Sequence, residues 1–432
     1  MEDQPSSSRF SPSKFAELAQ IALDNGQLVN AGIAIEEALT AQPNNIAWLT
    51  IAWNVAEQSD DTNATLMIGA RLSPLLRRHG PDDAFVTLQE NLSTLYRRRG
   101  WTKAALDAGL DVLRMREPML DDDNIAVEVK ADLIQYLVGL AELTQGVEGN
   151  TQAAEHYTRA AALATRLFSS EDNDTALIGA SVLTPILDVL RAHHAEEGDL
   201  DKAIAVTQRA IAAHTLIDQL LDGDRAAHLA RCAAWKTLGD YQLRKRSPGA
   251  AKDAFVACVD ACTLREQSAD VRAVHISALI ALAEQGEGAE ALDLLLRGLA
   301  LAEQADDPMA QWQLHHQTGN TLTALGRADE AWEQHVQAQD CARAMLKKDP
   351  LCGAELAWTH MALGDLNAAE GMLGDALEDY EEALAHRQKV RSRNARRVTR
   401  ADFRASLRAL GALSERMGRT TEAEGYLNRA QR

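Results

Sequence analysis

Aromatic side chains make up only 4% of this 432-residue chain, and its 46% hydrophobic content is carried by alanine and leucine, a helix-forming composition. Cysteine is scarce. Five residues (Cys232, Cys258, Cys262, Cys341, Cys352) are an odd number without a Cys-x-x-Cys pair, which argues against a disulfide scaffold and for reduced thiols. Cys258 and Cys262 share one helix face and read as buried fillers. A basic balance is absent as well: the formal charge of −19 makes nucleic acid an unlikely partner. No run approaches the roughly 18 apolar residues of a membrane span. Met1 to Ser8 is acidic and polar where a signal peptide is basic and then apolar, so the chain reads as cytoplasmic, with no membrane partner.

The motifs of chemistry are missing too. There is no HExxH, no Cys/His quartet, no GxSxG and no phosphate loop, and Gly286-Glu-Gly288 lacks the third glycine of a dinucleotide site. Asp121 to Asn124 opens like a calcium loop but continues with Ile125 and Ala126 where a ligand and a glycine are required; these acids are expected to cap the helix that follows. His315, His316, His335 and His360 fall in adjacent segments, yet neighbours on a helix point about 100° apart, and His193-His194 is read the same way. The expectation is a non-catalytic protein with no cofactor and no metal.

What is present is a recurring pattern, clearest from Trp235 to Phe255. Trp235, Leu238 and Phe255 stand beside the small residues Gly239 and Ala251, so two antiparallel helices approach closely with interlocked side chains. One such hairpin has no core of its own and must stack on copies of itself. After a polar lead-in over residues 1–12, the pattern starts at Phe15, Leu18 and Ala19, turns at Asn25-Gly26, and resumes at Ala31, Ile35 and Ala38. Residues 357–384 repeat it with Leu363, Gly364, Ala376, Tyr380 and Ala383, and the last copy has Leu410, Gly411, Ala423 and Ala430.

These residues resemble the tetratricopeptide repeat. Its second-helix alanine marks ten units, at Ala31, Ala64, Ala105, Ala153, Ala203, Ala251, Ala291, Ala331, Ala376 and Ala423, with spacings of 33 to 50 residues that are mostly longer than the usual repeat. Glycines five residues before the marker (Gly26, Gly100, Gly198, Gly286, Gly326, Gly371, Gly418) are expected in left-handed turns. The resemblance implies an all-α, right-handed solenoid running as one domain over residues 13–432. It also implies a concave groove, lined by first helices, that takes a peptide, disordered segment or helix of a partner protein. Carried over by motif position, the groove residues are Lys236, Asp240, Ile276, Gln313, His316, Asn320, Trp358, Met361, Asp365 and Arg408.

One charged stretch stands apart. From Arg387 to Arg408 there are nine Lys or Arg residues against the single acid Asp402. Arg391, Arg393, Arg396, Arg397, Arg400 and Arg404 make it a candidate surface for RNA or an acidic partner; the plainer reading is a solvated loop between helix flanks. The leading expectation is an interaction scaffold. The alternatives are a regulatory subunit that controls a separately encoded protease or nuclease, and an adaptor acting through the basic stretch. Arginine outnumbers lysine 34 to 10, which with abundant alanine points to a GC-rich bacterial genome.

Overall fold

The computed structural model describes residues 10–431 apart from 123, 266, 267 and 395. The first nine residues of the expected lead-in lie outside that range, and Ser11 already caps the first helix. Among the described residues the protein is all-α, with twenty α-helices and no strand. The helices fall into two compact units, divided in the chain between Asp199 and Leu200. The first holds α1 (Pro12–Asp24), α2 (Leu28–Ala41), α3 (Ile46–Gln58), α4 (Thr62–His79), α5 (Asp82–Arg98), α6 (Thr102–Arg116), α7 (Val127–Val147), α8 (Asn150–Phe168) and α9 (Asn173–Glu196). The second holds α10 (Leu200–Leu220), α11 (Arg225–Arg244), α12 (Pro248–Thr263), α13 (Ala269–Gln285), α14 (Gly288–Ala305), α15 (Pro308–Ala324), α16 (Ala328–Leu346), α17 (Gly353–Ala369), α18 (Leu373–Arg393), α19 (Arg400–Arg416) and α20 (Thr420–Gln431).

The tight turns share one chemistry. A residue with positive φ occurs at Gly26, Asp60, Gly100, Gly198, Arg246, Gly326, Gly371 and Gly418, and the N–H of the next residue reaches the carbonyl five residues back at 2.8 to 3.0 Å. This is the Schellman arrangement, which satisfies carbonyls left open at a helix end. Two expectations are corrected here. Gly286 is extended (φ −94°, ψ 170°) and not left-handed, whereas Asp60 and Arg246 take the left-handed place without glycine. Because Asp61 starts α4, the buried position four residues on is Thr65, at 3% exposure, and not Ala64. The other nine marker alanines are buried, none above 3%.

Packing across a hairpin follows from small residues facing rings. A Cβ placed on Gly239 would lie 2.3 Å from the Phe255 ring, and one on Gly364 would lie 2.6 Å from the Tyr380 ring. Gly319 stands in the same relation to His335, again at 2.6 Å. A histidine thus fills the slot that other units give to an aromatic ring. Cys232, Cys258 and Cys262 form no disulfide and are buried in one cluster with Phe255 and Leu279. The Cys258 thiol donates to the Cys232 carbonyl at 3.2 Å, and a hydrogen bond with Cys262, together with burial, raises the Cys232 thiol well above its ordinary range.

Two local expectations change. The N-cap of α7 is Ala126 with no side-chain bond, and Asp122 accepts from the Asn124 backbone N–H at 2.9 Å and not from α7; the Asp121 side chain and Asp123 lie outside what is described. By length and composition α9 is apolar enough to cross a membrane, although half of its apolar window is buried inside the protein. Ser181, Thr184 and Pro185 hide it from a simple search for an unbroken apolar run, and Leu183, Ile186 and Leu187 are buried to within 1%.

Candidate functional site

The first helices of two successive hairpins, α15 and α17, meet along a seam tied by one polar bond. The buried Trp312 indole Nε1 donates to Thr359 Oγ1 at 3.0 Å. Outside this bond the Trp358 ring sits 6.0 Å from that of Trp312, with 40% of Trp358 left exposed. An exposed tryptophan on a helix whose other side is core is unusual, because that surface gains most by being covered. Beside it opens a cavity of about 310 Å³ lined by His316, Asn320 and Thr323 of α15, Trp358, Met361 and Asp365 of α17, His335 of α16 and Arg387 of α18.

The polar groups in this cavity differ sharply in their freedom. Asp365 is held in place by accepting from the Tyr380 hydroxyl at 2.6 Å, and burial with that bond raises the Tyr380 pKa. Arg387 is 4% exposed and donates through Nη1 to Ser406 Oγ at 2.7 Å and to the Asp402 carbonyl. Its buried Nε has no hydrogen-bond partner among the described residues. His316 stacks on Trp312 with ring centres 5.6 Å apart, and the His335 ring lies 5.3 Å further on. Burial pushes both histidines down to about 4, in His335 with help from His316, so at neutral pH they are uncharged. Neither Nδ1 has a hydrogen-bond partner among the described residues. The site therefore offers an apolar shelf, two neutral imidazoles, an amide and a buried guanidinium. The Thr323 hydroxyl in it donates to the Gly319 carbonyl at 2.9 Å.

Five of the ten groove positions read from the sequence converge in this cavity: His316, Asn320, Trp358, Met361 and Asp365. The others do not join them. Lys236 and Asp240 satisfy each other across one turn of α11, Nζ to Oδ2 at 2.7 Å. Ile276 is 4% exposed and packs with Leu295 and Leu314, so it belongs to the core. Gln313 is half-buried and Arg408 exposed, and neither lines the cavity. Met361 is anchored rather than free, packed beside Leu407 and Leu410 with its sulfur 3.5 Å from Ser406 Oγ. Sequence reasoning missed His335 as a site residue, although its place in an aromatic slot was a readable signal.

The basic stretch is sorted by the fold. Arg387 is consumed inside the protein as described, and Arg397 pairs with Glu355, itself 4% exposed. Arg393 and Arg396 are exposed. Arg391, Arg400 and Arg404 come together in a second cavity. The histidines are sorted likewise. His315 is 2.8 Å from Gln334 Oε1, and His360 Nδ1 is 2.8 Å from Asp379 Oδ1. In the first unit His193, His194 and Glu197 bring three potential ligand atoms within 4.8 Å, so adjacency on a helix does not keep that pair apart as expected. The carboxylate there is exposed and already lies 3.5 Å from His193 Nε2.

Successive helical hairpins joined by Schellman turns define an all-α helical-repeat architecture. Residues 352–387, which include α17 and most of α18, match the family model of the tetratricopeptide repeat. That unit of the chain is thus similar to a tetratricopeptide repeat, and it sits in a run of helical hairpins. Among solved structures it is similar to BtubC from P. vanneervenii (18% identity, TM-score 0.46, covering 54% of this chain and 89% of that one). It is also similar to a Podosopora anserina putative kinesin light chain (18%, TM-score 0.37, 47% and 94%). The APC/C assembly Cut9-Hcn1 is matched over 98% of this chain and 87% of that one, at 13% identity and TM-score 0.33. At these scores the likenesses carry no weight of their own, and the family match is that of the one unit at residues 352–387. No curated protein matches the sequence.

Proposed function

We propose that the protein is a non-catalytic interaction scaffold and that the seam between α15 and α17 holds a short segment of a partner protein. The observation that carries this is the half-exposed Trp358 beside a cavity that also carries polar groups, three of whose buried nitrogens have no hydrogen-bond partner among the described residues. An apolar side chain of the segment covers Trp358, and its backbone exchanges hydrogen bonds with Asn320 and Asp365. Aromatic anchors ringed by polar groups are where binding free energy concentrates.

The test places a photo-crosslinking residue at Trp358 and, as a control, at Trp332, which is 47% exposed but lies on the second helix α16. A partner captured from position 358, not from 332, and lost when Asn320→Arg is added, supports the reading. Equal capture from both positions rejects it.

A further inference from the structure

The second cavity, of about 570 Å³, is lined by Gln388, Arg391 and Ser392 of α18, Arg400, Phe403 and Arg404 of α19, and Arg429 of α20. It contains four guanidiniums and no carboxylate. The chain as a whole carries −19, so a local excess of this size runs against its average. Arg429 lies outside the basic stretch of the sequence and is brought in only because α20 folds back along α19. Among the described residues none of these four arginines makes an ion pair, in contrast to Arg397, which the same stretch commits to Glu355. A solvated helix flank would spread such charges. Here they converge on one open volume.

The lining also says what kind of anion fits. Arg391 sits over the Phe403 ring at 5.9 Å, so the one aromatic group in the cavity holds a guanidinium in place and is not free to stack a base. Single-stranded nucleic acid is recognised on free aromatic faces along a basic track, and among the residues that line this cavity the one aromatic ring is the one beneath Arg391. Guanidinium forks match tetrahedral oxyanions through paired N–H donors, and Ser392 and Gln388 add neutral hydrogen-bonding groups. A phosphate monoester concentrates close to two charges and three acceptor oxygens in one small group, whereas carboxylates on successive residues spread theirs. The acidic remainder of the chain disfavours an extended polyanion, but beyond roughly 8 Å its field is screened, so a single compact anion still reaches the arginines.

We propose that this cavity is a second binding site, separate from the α15 and α17 seam, for a phosphoserine or phosphothreonine carried on a peptide of a partner protein. The cavity is built chiefly on the second helices α18 and α20 and the start of α19, so it does not depend on the groove reading and stands or falls alone.

The test measures fluorescence polarisation of full-length protein with labelled degenerate peptides carrying a fixed phosphoserine, a serine or a glutamate at the centre. The expected result is at least tenfold tighter binding of the phosphoserine pool than of either other pool, weakened at least tenfold by Arg404→Gln with Arg429→Gln at an unchanged melting temperature. Millimolar inorganic phosphate should compete only weakly if the peptide contributes. Equal binding of the three pools, a preference that survives the double variant, complete displacement by equimolar inorganic phosphate, or tighter binding of a single-stranded RNA oligonucleotide than of the phosphoserine pool would each overturn the proposal.

Discussion

Replacing His335 by phenylalanine should remove one part of the protein's sensitivity to mild acid, that of a single buried ring. His335 is 1% exposed and occupies the ring slot against Gly319 that Phe255 and Tyr380 fill against Gly239 and Gly364. Burial holds its pKa near 4, against an ordinary value of 6.5. The unfolded chain therefore binds a proton between those two values that the folded chain does not. Stability contributed by the neutral ring is complete above pH 6.5 and is lost as pH falls towards 4. The difference amounts to about 2 kcal/mol between pH 7 and pH 5, and to about 3 kcal/mol once both forms are protonated. Urea unfolding at pH 7 and pH 5, for wild type and His335→Phe, isolates this quantity. Any packing change caused by the new ring is present at both pH values and cancels in the double difference. His316, also held near 4, titrates in both proteins. The variant should lose about 2 kcal/mol less than wild type on going from pH 7 to pH 5. An identical loss in both proteins would refute the assignment of His335 as a buried neutral ring.

Two further outcomes follow from the hairpin geometry. Gly239→Ala should lower stability by about 1 to 3 kcal/mol in thermal or urea unfolding, because its Cβ would sit 2.3 Å from a Phe255 ring with no exposed surface into which to move. Arg246→Gly should raise stability by about 0.5 kcal/mol, because φ of 61° is strained for arginine and unstrained for glycine, part of the gain being offset by the greater freedom of glycine in the unfolded chain.

Much of the architecture is local in origin and for that reason readable. An alanine four residues into a second helix is buried wherever the turn before it is a Schellman turn, and a glycine in that turn announces it. The reading slipped where another residue did the same work. Asp60 supplies the left-handed turn before α4, so the buried position moved from Ala64 to Thr65. Gly286 looked like the other turn glycines, yet in that hairpin the positive φ is at Gly288. Five of the ten positions expected in a groove line one cavity because first-helix positions recur with the repeat. Ile276 failed the same rule because Leu295 and Leu314 close over it, contacts made by two later helices.

The amino-acid sequence by itself determined the repeat: helical composition, hairpins marked by alanine and glycine, and the absence of recognisable catalytic motifs, all set by interactions within a few turns of chain. Only the tertiary structure decided which charges are used up and which are free. Arg387 reaches Ser406 and Arg397 reaches Glu355, 42 residues away, while Arg391, Arg400 and Arg404 meet Arg429 around an open cavity. In sequence all of these arginines but Arg429 are equivalent members of one basic run. Their different fates depend on which helix packs beside each, and a charge is spent or left available according to neighbours that the local sequence does not contain.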